Sequence, residues 1–262
     1  MSPTKQYKQK AYHSLTDLTA DFVDIPSTRS SLTRTSSGNS ARARISRTSV
    51  IFWRISGRSG TARITKAAYL CFAKRNHLFS NAVIKIARFD GNSVTKFLDK
   101  KNIDTNLIRA VDEVLEFVKK HIDQATIRHR NGNKELKWDY PLDALREAIV
   151  NAVLHRDYTD TGNIQVRIFE DWLEIWSPGS LPEELDLSRI LFEDRAILKN
   201  SNLAMIFQSL GLVDNWGTGF KRMNDACVNN GNPEPLYSQK AGAFVVTIHK
   251  SIITASIEKH PH

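Results

Sequence analysis

Long apolar runs are missing from this chain: no stretch approaches the roughly 18–20 consecutive apolar residues that a membrane-spanning helix needs. No membrane partner is expected. The N-terminus, MSPTKQYKQKAYHSLTD, is basic but has no apolar segment or small-residue cleavage site behind it. That excludes a secretory signal and makes the cytoplasm the expected compartment. Cysteine is scarce too, with Cys71 and Cys227 the only two and 156 positions apart (227 − 71). They make neither a CxxC motif nor a disulfide framework, so both are expected as reduced, packed side chains. A GxxxxGK[ST] phosphate loop is also absent, which argues against a translocating motor.

What is present is enough for a folded core. Of 262 residues 41% are hydrophobic and 25% charged, which fits one or two domains. The formal net charge is 37 − 28 = +9, but it is unevenly placed. Residues 1–62 hold ten Lys and Arg against three Asp (10 − 3 = +7), and residues 63–262 hold 27 basic against 25 acidic (27 − 25 = +2). Within the first part, residues 27–61 carry 15 Ser/Thr and seven Arg, with apolar residues clustered only at Val50–Trp53. Such a segment buries too little to offset its ordering entropy and reads as largely disordered. It is either a solvated linker or an arm that attracts DNA without sequence specificity.

From Arg63 the pattern becomes globular. AAYLCFA (Ala67–Ala73) reads as a buried segment and AVIKIARF (Ala82–Phe89) as a strand. Asn106–Ile122 predicts a helix with Leu107, Val111, Val114, Leu115 and Val118 on one face and Lys119, Lys120 and His121 at its C-terminal end, where cations suit the dipole. A second helix is expected from Pro141 to Leu154. A hairpin of strands Asn163–Phe169 and Trp172–Trp176 follows, turning at Glu170–Asp171. Helices near Asn202–Leu210 and from Gly219 to Gly231 come next, and a last strand, Phe244–Ile248, is expected at a sheet edge. This order predicts an α+β fold, an α/β sandwich in which helices cover a mixed β-sheet.

Chemistry enters on the helix Pro141–Leu154. With Glu147 at zero and about 100° per residue, Asn151 falls near 40° and His155 near 80°, whereas Leu142, Leu145, Ile149, Ala152 and Val153 fall between about 140° and 240°. A polar stripe therefore runs along the side away from the apolar face. An amide oxygen there suits a hard cation, and a carboxylate one turn away can orient or deprotonate a water. Solvated side chains are the plainer explanation of the same spacing. Two glycine sites lie downstream: Ser177-Pro178-Gly179 at a strand end, and Gly217-Thr218-Gly219 opening a helix, whose free amides attract phosphate oxygens.

Taken in order, ALREAIVNAVLHRDY (Ala144–Tyr158), LEIWSPGSLP (Leu173–Pro182) and ILKNSNLAMIFQSLGLVDNWGTGFKRM (Ile197–Met223) resemble the histidine-kinase-like (GHKL) ATPase domain of a bacterial and archaeal family. Its members are labelled RecG-related helicases or transcriptional regulators and carry a Schlafen AlbA-like domain ahead of the ATPase-like one. The resemblance spans roughly Arg63 to Ile248. It implies Mg2+ and ATP as ligands, Asn151 as the magnesium ligand and Glu147 as the candidate general base. Gly179 matches the first glycine box and Gly217, Thr218 and Gly219 the second. Lys199 and Asn200 stand where relatives have Arg-Asn, within a lid at Asp186–Asn202. Ser177 occupies the place of an adenine-reading Asp. His155, Arg156 and Asp157 match an HRDY signature open to a structural or a nucleotide-binding role.

The implied organisation is a basic segment at 1–62, a connecting region resembling the end of the AlbA-like domain at 63–130, a GHKL ATPase-like domain at 131–250 and a tail at 251–262. The expected function is an ATP-binding regulatory protein, with slow hydrolysis and binding without turnover both open. The alternatives are a DNA-binding transcription regulator using the fold as scaffold, and a truncated relative that folds only from about Arg63. DNA through residues 1–62 and a homodimer are the remaining partners considered.

Overall fold

The computed structural model describes residues 22–24, 53–55, 62–76, 78–128, 134–180, 199–213 and 218–251. Much of the basic segment, most of the expected lid and Gly217 lie outside the described residues. Among the described residues, no helix is long and apolar enough to cross a membrane.

Short strands β1 (Phe22–Asp24), β2 (Trp53–Ile55) and β3 (Ala62–Thr65) form a small antiparallel sheet in the order β1-β3-β2. Helix α1 (Lys66–Phe72) follows, its first turn capped by the Thr65 hydroxyl, which accepts from the Ala68 amide. The buried segment AAYLCFA is therefore mostly helical. The main sheet takes β4 (Ile84–Phe89), β5 (Phe97–Ile103), β8 (Ile164–Ile168), β9 (Trp172–Pro178), β10 (Leu236–Lys240) and β11 (Ala243–His249). A separate hairpin is made by β6 (Gln124–Arg128) and β7 (Lys134–Trp138). The helices between are α2 (Leu107–Lys119), α3 (Leu142–His155), α4 (Ser201–Ser209) and α5 (Gly219–Asn230).

The strand order of the main sheet is β10-β11-β9-β8-β4-β5, antiparallel at every pairing except the parallel β4–β8. This is the mixed sheet of an α+β fold, and residues from both sides of position 130 build it. The edge next to β11 is β10, so the last strand lies one place further in than expected. LYSQK at β10 is polar and largely exposed, and among the described strands it pairs with β11 alone, across the turn at Ala241–Gly242, where both residues have positive φ.

One row of buried side chains shows how the layers meet. Val246, Ile175, Val166 and Ile86 are register partners on four adjacent strands and join the core that α2 and α3 complete. The apolar face expected of α2 is buried at all five positions. On α3, Leu145, Ile149 and Val153 are fully buried, each worth about 1.5–3 kcal/mol. Cys71 and Cys227 are free and buried, and burial pushes both thiols up, that of Cys227 to about 12. Neither is a nucleophile at neutral pH.

Candidate functional site

Helix α3 follows Pro141, which stands at its N-cap in an extended conformation, and carries Asp143 in its first turn, where a carboxylate favours the dipole. Its apolar face docks on the sheet, so the Glu147–Asn151 stripe must face elsewhere. Helix α5 lies against that stripe, and it approaches closely because its first residue is Gly219. A Cβ on Gly219 would overlap Glu147 Oε1 and lie 3.1 Å from Asn151 Nδ2. The structure thus brings together three of the expected site residues, Glu147, Asn151 and Gly219. Thr218 stands at the N-cap of α5 without a side-chain capping bond. The Asn151 side chain makes no hydrogen bond to any described residue.

Glu147 is not free. Arg222, one turn along α5 from Gly219, donates to Glu147 Oε2 at 3.1 Å. Sequence reasoning missed this residue, whose only signal was its i+3 spacing from the second glycine site.

The other expected residues gather at the C-terminal end of α3, where the last carbonyls lack helical partners. Ser177 Oγ donates to the Ala152 carbonyl at 2.9 Å, and Tyr158 Oη to that of Val153 at 3.1 Å. Asn200 Nδ2 donates to the carbonyls of Leu154 (2.9 Å) and Arg156 (2.7 Å). Ser177 and Asn200 are both buried, so these contacts occupy groups that the resemblance would aim at nucleotide. Asn200→Ala is expected to cost about 2 kcal/mol, because two buried carbonyls lose their donor; urea denaturation measures it.

Arg156 leaves the helix and turns inward. Its guanidinium donates to the carbonyls of Asp157, Asp160 and Gly162 and packs over the Tyr158 ring at 4.8 Å. It is a clamp on the loop joining α3 to β8, and burial lowers its pKa. Asp157 next to it binds β9 through its amide, which donates to the Pro178 carbonyl at 2.8 Å. Burial raises the Asp157 carboxyl pKa, but hydrogen bonds from Thr159 and the charges of Lys199 and Arg156 outweigh this and hold it below its usual value.

Gly179 closes this end of the site. Its φ is +114, and a Cβ there would sit 2.9 Å from Lys199 Nζ and 3.2 Å from the Asp157 amide nitrogen. Lys199 itself donates to the Ser180 carbonyl at 3.1 Å, lying across the turn. Of the two described site glycines, Gly219 therefore faces the middle of α3 and Gly179 the loop leaving it. Among the described residues no three His, Cys, Asp or Glu side chains cluster as metal ligands.

Comparison with known proteins adds a partial match. Residues 162–248 fit the family model described as "Putative ATP-dependent DNA helicase recG C-terminal". That stretch contains Ser177, Gly179, Lys199, Asn200, Thr218 and Gly219, whereas Glu147 and Asn151 precede it. The fold is similar to the crystal structure of the DIP2311 protein from Corynebacterium diphtheriae, at 24% identity and a TM-score of 0.63. The alignment covers 75% of this chain and 40% of that one, so the chain spans less than half of that protein's length. No curated protein matches the chain.

Proposed function

We propose that this chain binds Mg·ATP between α3 and α5 and acts as a nucleotide-dependent regulatory module of the histidine-kinase-like type. The observation that carries the reading is the side-chain gap at Gly219, which sets the uncapped start of α5 against Asn151 and Glu147. Backbone amides at such a helix start favour phosphate oxygens. The match to an ATPase-related family model over residues 162–248 supports the same reading.

The donor set fits magnesium, which is commonly held by one or two protein oxygens together with phosphates and waters. Asn151 Oδ1 would be the protein's oxygen ligand. The ion would supply charge neutralisation for the phosphates. Glu147, the carboxylate that the described residues place in the gap, is engaged by Arg222, so turnover requires that pair to open. We therefore assign binding, not hydrolysis, as the primary activity. Purine selection would fall to groups other than Ser177, whose hydroxyl is donated to Ala152.

Isothermal titration with Mg·ATP tests the assignment. The wild type is expected to bind, and Asn151→Ala to bind at least about tenfold more weakly, since loss of a metal ligand removes a kcal/mol or more. An absence of heat with wild type, or equal affinity for the variant, would refute the site.

A further inference from the structure

The ion pair between Glu147 and Arg222 joins two helices through residues 75 positions apart. Glu147 projects from the middle of α3 and Arg222 from the first full turn of α5, on the same side as Gly219. The Glu147 carboxylate lies over the space where a Gly219 side chain would be, at the positive end of the α5 dipole. An anion of the protein itself thus occupies the neighbourhood expected of the phosphates.

We infer that Arg222 is a positioning residue that sets the charge of this site: its guanidinium cancels the Glu147 carboxylate, so that nucleotide phosphates are not repelled from the start of α5. The inference rests on the nucleotide reading above. A purely structural tie is the competing account. It is the weaker one, because α5 is already anchored by Met223 and Cys227, both fully buried in the core that includes α3. The Arg222 side chain is 42% exposed, and pairs so exposed add little to stability. Glu147 is only 18% exposed, so an uncompensated charge there acts on a neighbouring phosphate with little solvent screening. Arg146 of α3 is directed elsewhere, pairing with Asp112 of α2.

Charge compensation predicts opposite signs for the two halves of the pair. Arg222→Gln leaves Glu147 uncompensated and should weaken Mg·ATP binding about tenfold, whereas Glu147→Gln removes the carboxylate while keeping the guanidinium charge and should tighten it several-fold. The double variant should return to within about twofold of wild type, and Arg222→Lys, which keeps the charge, should recover most of the loss. Titration calorimetry of the full chain with Mg·ATP reads all five proteins, and circular dichroism melting confirms that each is folded. If wild type binds but Glu147→Gln binds equally or more weakly, charge compensation is overturned while the nucleotide site stands. If Arg222→Gln does not fold, the tightening by Glu147→Gln decides alone. Absence of binding by all of the folded proteins overturns both the compensation and the nucleotide reading.

Discussion

Replacing Arg156 with alanine is expected to destabilise the protein by about 3–5 kcal/mol, the largest effect on folding that the site region holds. The side chain is fully buried, no carboxylate among the described residues is paired to it, and three main-chain carbonyls and the Tyr158 ring take the place of a counterion. Alanine removes the donors and leaves a void where the long stem packed. The Asp160 carbonyl keeps a second donor, Asn81 Nδ2 at 2.9 Å, so it is not orphaned, whereas that of Gly162 loses the guanidinium bond. Arg156→Met separates the two causes. Methionine refills most of the volume without donors, and it also relieves the cost of burying a charge whose Nε already lacks a partner. The methionine variant should therefore lose only about 2 kcal/mol. Guanidinium denaturation of both variants measures the difference; equal losses would mean that hydrogen bonding, not packing, dominates. The damage should spread to the site, because the same loop supplies the Asp157 amide that holds the end of β9 beside Gly179.

The path from sequence to this region was legible only in part, and the reason differs by residue. The stripe on α3 follows from local periodicity, since a 14-residue helix with Leu145, Ile149 and Val153 on one side must turn Glu147 and Asn151 away from the sheet. Gly219 was legible as a helix start, although what it packs against was not. The uses of Ser177 and Asn200 were hidden because each depends on where a distant segment ends relative to the last turn of α3. Asn200 lies 46 positions from Leu154, and no spacing rule reaches that far. A helix C-terminus is nonetheless a fixed demand for donors, and it is met here by the very polar residues that the motif resemblance would assign to nucleotide.

The strands show the same division. β4 and β8 both read as strands, but their parallel pairing is a tertiary choice. β5, FLDKKNI, is exposed at six of its seven positions and lacks the alternation that marks a half-buried strand, so its sequence does not mark it as one. The sequence of β10 does not either, and this strand takes the edge outside β11. The polar edges of this sheet are what period-two reasoning reads least well, because a Lys-containing edge is selected against further pairing and not for burial.

Gly219→Ala is expected to abolish most nucleotide binding, by about a hundredfold, while leaving the fold nearly as stable as wild type. Two effects oppose each other in stability. Alanine is favoured over glycine in helices by up to about 1 kcal/mol, whereas its methyl overlaps Glu147 Oε1 and crowds Asn151. The first atom met is the end of a flexible side chain, so Glu147 can rotate aside at modest cost, and the net change should stay within about 1 kcal/mol. Binding has no such escape. The methyl fills the gap that sets the α5 amides against Asn151, and a rotated Glu147 surrenders its bond to Arg222. Gly179 behaves differently, since its φ of +114 and the nearby Asp157 backbone nitrogen make an added Cβ costly to folding itself. Calorimetric titration with Mg·ATP, paired with thermal melting of the same samples, distinguishes the two kinds of glycine. A Gly219→Ala protein that melts like wild type and still binds Mg·ATP with wild-type affinity would remove α5 from the site.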